Sequence, residues 1–224
     1  MKNLILVRHG QTELNAQNKL QGWIDAPLTQ RGRETASQLH QVLATVPLTK
    51  TYTSDRERAE DTASLILGQR QPLIPITTQP LLREYYFGAL EGQDESEILR
   101  AFLRKFGLRQ TLVCTRRGSG FPQLIKGFAA LDQTKQAETY QDFKDRAQQL
   151  LTQYATDPTP GNVLVVAHGL LLSMMIHLIA PADLPAFLLK NTSVSILTKV
   201  DDHFQAQGIN LTDSAEIQRQ LNPK

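Results

Sequence analysis

Two histidines, each followed by glycine, stand where two apolar runs end. Arg8-His9-Gly10 follows Leu4-Ile5-Leu6-Val7, and His168-Gly169 follows Val163-Leu164-Val165-Val166-Ala167. A neutral imidazole nitrogen can attack phosphorus. A guanidinium beside it, here Arg8, disfavours imidazolium and can grip phosphate oxygens in a fork. A second imidazole can donate to a phosphate oxygen and stabilise charge in transfer. The Gly169 amide would open a helix, and a helix N-terminus favours anions. Taken alone, His9 reads better as an ordinary strand-end histidine, and His168 as a satisfied one.

Two further segments carry the remaining parts of such a reaction. In Ser54-Asp55-Arg56-Glu57-Arg58-Ala59-Glu60-Asp61-Thr62-Ala63, Arg58 falls in the first turn of a predicted helix. A cation there works against the helix dipole, which is natural if an anion sits nearby; the plain alternative is a surface pair with Glu57 or Asp61. In Leu82-Arg83-Glu84-Tyr85-Tyr86-Phe87-Gly88-Ala89-Leu90-Glu91-Gly92, Glu84 is a candidate proton donor. Departure of an alkoxide from a phosphate ester needs a proton, and burial or a neighbouring phosphate charge would keep one on a carboxyl. The alternative for Glu84 is a loop salt bridge with Arg83, and Glu91 competes for the acid role with a lower rank.

The elements that must position these residues alternate between strand and helix, which favours an α/β fold: a central, mostly parallel sheet flanked by helices. Residues 3–8 read as the first strand, 30–45 as an amphipathic helix and 50–53 as a short strand. Ser54 with Glu57 three residues on has the form of a capping box for the next helix. Residues 73–77 read as another short strand, and a helix begins near Ile98. Residues 107–136 lack a clear period and are expected, with 93–106, to form a small helical cap inserted into a single domain spanning 1–224. A helix from Tyr140 to Tyr154, a strand ending at Ala167, a helix to about Ile179 and two strands near 194–200 and 203–209 complete the core. The polar tail, 212–224, reads as peripheral. In open α/β sheets ligands bind beyond the carboxyl ends of the strands, where both His-Gly pairs would lie.

The bulk numbers narrow the function classes. The 224 residues carry a formal charge of +2, which argues against a general nucleic-acid binder. A single cysteine, Cys114, cannot form an internal disulfide and points to a reducing compartment. Arg8 ends the first apolar run too early for a signal-peptide core, and residues 170–180 are too short and interrupted to span a bilayer. The expectation is therefore a cytoplasmic protein without a membrane partner. Neither a Gly-x-x-x-x-Gly-Lys-Ser/Thr phosphate loop, a zinc-like Cys/His cluster nor a Gly-x-Ser-x-Gly elbow is present.

Arg-His-Gly-x-Thr-x-x-Asn, Ser-Asp-x-x-Arg-Ala-x-x-Thr-Ala, Leu-x-Glu with Phe-Gly-x-x-Glu-Gly, and Ala-His-Gly occur in one order. Together they strongly resemble the histidine phosphatase superfamily, in the branch that holds phosphoglycerate mutases and cofactor-independent phosphatases. The likeness runs from about residue 1 to 200 and is weakest across 93–136; Leu20 to Thr29 and Asn191 to Ser195 also look like family segments. The resemblance implies that His9 becomes phosphohistidine, that Arg8, Arg58 and His168 hold the phosphoryl group, and that Glu84 donates the proton. It further implies a phosphate contact from Asn15, a substrate-side lining by Gln21 and Gly22, and no need for a metal or other cofactor.

Mutases and phosphatases share the first step and differ in whether a hydroxyl or water takes the phosphoryl group. The mutases read Glu-Arg-His-Tyr-Gly after the acid, whereas Glu84 is followed by Tyr85-Tyr86-Phe87-Gly88, then Glu91-Gly92, which looks like the phosphatases. Arg116-Arg117 resembles an arginine pair that mutases use for a substrate carboxylate. These two also belong to a span, 98–131, with seven basic and no acidic residues: either a lid contacting a second anionic group or a solvated basic face. The reading is thus a phosphatase of small phosphorylated metabolites, with a mutase-type phosphotransferase as the alternative and a non-catalytic phosphate-binding module as the rival from another class. The sheet edge near 192–209 could pair two copies into a homodimer.

Overall fold

The computed structural model describes residues 2–69, 73–114, 116, 118–185, 189–201 and 203–221. The chain runs β1 (Lys2–Arg8), α1 (Glu13–Ala16), α2 (Gln30–Leu43), β2 (Leu48–Thr53), α3 (Glu57–Leu67), β3 (Ile76–Thr78), α4 (Glu95–Cys114), α5 (Phe121–Leu131), α6 (Tyr140–Thr156), β4 (Gly161–Ala167), α7 (Gly169–Ile179), β5 (Val194–Val200), β6 (His203–Leu211) and α8 (Ser214–Leu221). The strands form one sheet in the order β3-β2-β4-β1-β5-β6. β1, β2, β3 and β4 pair in parallel, while β5 and β6 add an antiparallel flank.

The two central strands are buried on both faces, as their unbroken apolar runs require. Their alternation separates two cores. Leu4, Leu6, Val163, Val165 and Ala167 face one apolar layer with residues of α4 to α7, while Ile5, Val7, Leu164 and Val166 face the other with residues of α2, α3 and α8. Among the described residues, no helix is long and apolar enough to cross a membrane.

Three local expectations are corrected. Ser54 does not cap α3. Its amide still bonds the Val166 carbonyl at 3.1 Å, so it prolongs the sheet, and the helix begins later with Arg56 as the N-cap. The strand expected at 73–77 is shorter, Ile76–Thr78, and Leu73 is exposed outside it. The tail is not peripheral: α8 buries Ile217 and Leu221 in the second core. The irregular period of 107–136 also has a cause. Gly107, at φ 73° and ψ 168°, breaks α4, so a single helical phase cannot run through it.

Candidate active site

β1 and β4 are paired with Arg8 opposite Ala167, so both strands deliver their histidines to the same level of the sheet edge. The His9 amide bonds the Ala167 carbonyl at 2.9 Å, and the two imidazole centroids lie 5.1 Å apart with planes inclined by 60°. His9 is 3% exposed and His168 is fully buried. The His9 Nδ1 lies 2.7 Å from the Gly10 carbonyl. That oxygen can only accept, so Nδ1 carries the proton and Nε2 keeps its lone pair. Burial, then the charges of Arg58 and Arg8, hold His9 well below the ordinary histidine value. Burial, then Arg58 and the other groups of the cluster, do the same to His168, whose two ring nitrogens have no hydrogen-bond partner among the described residues.

Arg58 is fully buried in the first turn of α3. It does not pair with Glu57 or Asp61. Its Nη1 donates to the Ile24 carbonyl at 2.9 Å and to Asp25 Oδ1 at 3.0 Å, and its Nη2 to the Gly22 carbonyl at 2.6 Å. The other Asp25 oxygen takes the Glu57 amide at 2.6 Å, which caps the helix in place of Ser54. Thr62 accepts the Gly10 amide at 3.0 Å and donates to the Arg58 carbonyl at 2.6 Å, so α3 is fastened directly under the His9 loop. Arg8 donates through Nη1 to the Leu189 carbonyl; its Nε and that of Arg58 are buried and have no partner among the described residues. A side chain at Gly169 would meet the Arg8 guanidinium at 3.3 Å, so glycine leaves room for it.

Glu84 makes no salt bridge with Arg83, which is held by Asp55 at 2.5 Å. Its carboxyl instead accepts the amides of Tyr85 at 2.9 Å, Leu170 at 2.9 Å and Leu171 at 3.0 Å, and so caps α7 beside His168. Burial pushes its pKa up, against the opposing pull of those amides and of Arg8. The backbone of Glu84 is fixed in turn. Arg146 donates to the carbonyls of Leu81 at 2.8 Å, Arg83 at 2.6 Å and Glu84 at 3.1 Å, and Trp23 Nε1 donates to the Glu84 carbonyl at 2.9 Å.

The remaining residues of the loop are tied to one another. Glu91 accepts the amides of Trp23 at 2.8 Å and Ile24 at 2.9 Å, which makes it a clamp on residues 23–24. Gln21 Nε2 donates to the Ile24 carbonyl at 3.2 Å, and its Oε1 accepts from Thr12 at 2.6 Å. A side chain at Gly22 would land on Glu91, Phe87 and the Tyr85 carbonyl. Asn15 Oδ1 accepts from Asn191, whose amide also reaches the His9 carbonyl at 3.0 Å. Asp25, Arg146 and Asn191 were not singled out from the sequence as site residues. Asp25 and Asn191 stand in segments that look like the family's, which was a usable signal; Arg146 reads as an ordinary helix arginine.

α4 and α5 cover the edge beside Glu84 and enclose, with the start of α7, a cavity of about 320 Å³. Arg116 lines it and is exposed; Arg117 lies outside the described residues. The other basic cap residues do not line it. Arg100, Arg104, Lys105, Arg109 and Lys126 are exposed, with Arg100 on Ser96, Lys105 on the Ala130 carbonyl and Lys126 over the Tyr140 ring. These five lie on a solvated basic face and not on the cavity wall.

Fold and cluster define an α/β protein that gathers two histidines, two arginines and a glutamate at the carboxyl ends of its central strands. The model of the histidine phosphatase superfamily (branch 1) matches residues 4–212, and the chain belongs to that family. The family's members include phosphatases and mutases, so phosphoryl transfer or hydrolysis is its chemistry. A 2,3-bisphosphoglycerate-dependent phosphoglycerate mutase 2 of Gloeobacter violaceus is 39% identical over 43% of this chain, and the match spans less than half, 45%, of that relative. The adenosylcobalamin/alpha-ribazole phosphatase of Escherichia coli K12 is 30% identical over 77% of this chain and 76% of its own length. The crystal structure of a phosphoglycerate mutase from Bacillus anthracis superposes with a TM-score of 0.86 at 28% identity, covering 98% of this chain and 96% of that one.

Proposed function

We propose that the protein is a phosphatase that hydrolyses small phosphomonoesters through a phosphohistidine on His9. The observation that carries this reading is the pairing of a neutral His9, its Nδ1 committed to the Gly10 carbonyl, with a buried carboxyl at Glu84 across a cluster of cations. In the first step a bond forms between His9 Nε2 and phosphorus as the ester P–O bond breaks. The leaving alkoxide takes the Glu84 proton. In the second step water attacks phosphorus, gives its proton to Glu84 and restores neutral His9 with release of orthophosphate. Arg8, Arg58 and His168 stabilise the charge on the transferred group. Asn15, Gln21, Gly22 and the Gly169 amide complete its surroundings. A phosphate-binding module would need the cations but not a carboxyl beside them.

Hydrolysis is supported by the Tyr85-Tyr86-Phe87-Gly88 sequence after the acid and by the similarity to alpha-ribazole phosphatase. The similarity to phosphoglycerate mutases favours a second reading, return of the phosphoryl group to a substrate hydroxyl. A phosphate-release screen over phosphorylated metabolites, with 3-phosphoglycerate included and isomer formation followed, separates them. Free phosphate, lost in His9→Ala, is expected. Rapid exchange between 2- and 3-phosphoglycerate without free phosphate would establish the mutase instead.

A further inference from the structure

We propose that the alcohol part of the substrate is apolar and occupies the cavity under α4 and α5. The inference rests on the phosphatase reading above and names its substrate class. The cavity adjoins the reacting groups: Leu170, which lines it, gives its amide to Glu84, and Leu20, also on its lining, precedes Gln21. An ester oxygen that takes its proton from Glu84 therefore projects its carbon chain toward this space. Its size suits a small ring or short alkyl group.

The walls are mostly apolar and suit such a group. Phe87, Phe102, Phe121 and Phe128 line it together with Ile98, Leu99, Leu124 and Leu184, and Phe87 packs edge-on against Phe128 at 5.0 Å between centroids. The hydroxyls and thiol that reach the wall are already committed. Ser173 donates to the Gly169 carbonyl at 2.7 Å, Thr111 to the Gly107 carbonyl at 2.9 Å and Cys114 to the Gln110 carbonyl at 3.5 Å. Of the described charged residues on the lining, Arg116 and Glu95 oppose each other in sign and are both exposed. A carboxylate or a row of sugar hydroxyls entering this space would give up water for aromatic carbon, with Arg116 the one cation on the described lining to offset the loss, which disfavours them. An apolar group would gain by the same transfer.

The test compares three primary alkyl esters, so that the leaving group is of one kind: 2-phenylethyl phosphate, glycerol 1-phosphate and 3-phosphoglycerate. The expected kcat/KM for the phenylethyl ester exceeds each of the others by about 30-fold or more. Leu124, on the cavity wall, supplies a variant. Leu124→Gln and Leu124→Glu should each lower the ratio of phenylethyl to glycerol ester by about ten-fold. Cys114, the chain's one cysteine, reports occupancy without turnover. In His9→Ala protein, 2-phenylethyl phosphate should slow alkylation of Cys114 and glycerol 1-phosphate should not. Equal or reversed preference among the esters overturns the proposal. If no ester is hydrolysed, the phosphatase reading fails, and the Cys114 measurement alone decides: protection supports an apolar subsite and its absence refutes it.

Discussion

Replacing Arg146 by methionine should separate the positioning of the proton donor from the rest of the site. Methionine keeps much of the apolar stem and removes the guanidinium. The lost contacts are the bonds to the Leu81, Arg83 and Glu84 carbonyls at 2.8, 2.6 and 3.1 Å and the pair with Glu138 at 2.6 Å. The two side chains are 12% and 17% exposed. Breaking a mostly buried ion pair costs roughly 3–5 kcal/mol, and the partial access of water to the freed carbonyls places this one near the low end, about 3 kcal/mol. For a chain of this size that corresponds to a fall in Tm of about 6–12 °C. The catalytic consequence depends on the ester. With Glu84 no longer held from behind, kcat for an alkyl phosphate should fall about ten-fold beyond any loss on 4-nitrophenyl phosphate, whose departing phenolate needs little protonation. Adding Glu138→Gln should cost much less than the single changes sum to, because the two residues share one network. Calorimetry and steady-state kinetics on the two esters give both numbers. A Tm shift below about 2 °C, or equal losses on both esters, would refute the idea that Arg146 holds the acid in place.

Other consequences follow from the same geometry. Glu84→Gln should lower kcat on alkyl phosphates by about 100-fold or more and on 4-nitrophenyl phosphate far less; its amide group would also face backbone donors at Tyr85, Leu170 or Leu171, so some loss of Tm accompanies it. An NMR titration of the free protein should find His9 and His168 neutral at pH 6.5, with midpoints below it. Because the unfolded chain protonates these rings near 6.5 and the folded one does not, stability should fall as pH drops through that value. A midpoint above 6.5 for His9 would contradict the neutral nucleophile. Gly22→Ala should destabilise the protein by about 1–3 kcal/mol and disturb the Arg58 clamp, since its methyl group meets Glu91, Phe87 and the Tyr85 carbonyl; unchanged Tm and activity would show that the loop gives way freely.

Much of this arrangement was legible in the sequence because a few residue types had so little freedom. Two unbroken apolar runs had to be central strands, and parallel strands in register had to bring His9 and His168 together. Arg58 in a helix's first turn was anomalous unless something held it there. The sequence could not show that the holder is Asp25, thirty-three residues earlier in the chain, because the contact depends on how residues 21–25 fold back over α3. Glu84 was identifiable as a candidate acid, but its role as the cap of α7 joins elements separated by 86 residues. The cap misled for a related reason. Charge counts along a helix do not reveal which face turns inward, and α4 and α5 turn phenylalanines to the cavity and most of their basic residues to water.

The central claim is that His9 takes the phosphoryl group on Nε2. Acid-labile, alkali-stable label from a 32P phosphomonoester, trapped by rapid quenching and mapped by mass spectrometry, tests it directly. The expected result is one phosphorylated histidine in the peptide containing His9, substituted at Nε2 and absent from His9→Ala protein. A label at Nδ1, a label on another residue, or full turnover with no phosphoryl-protein at any quench time would contradict it.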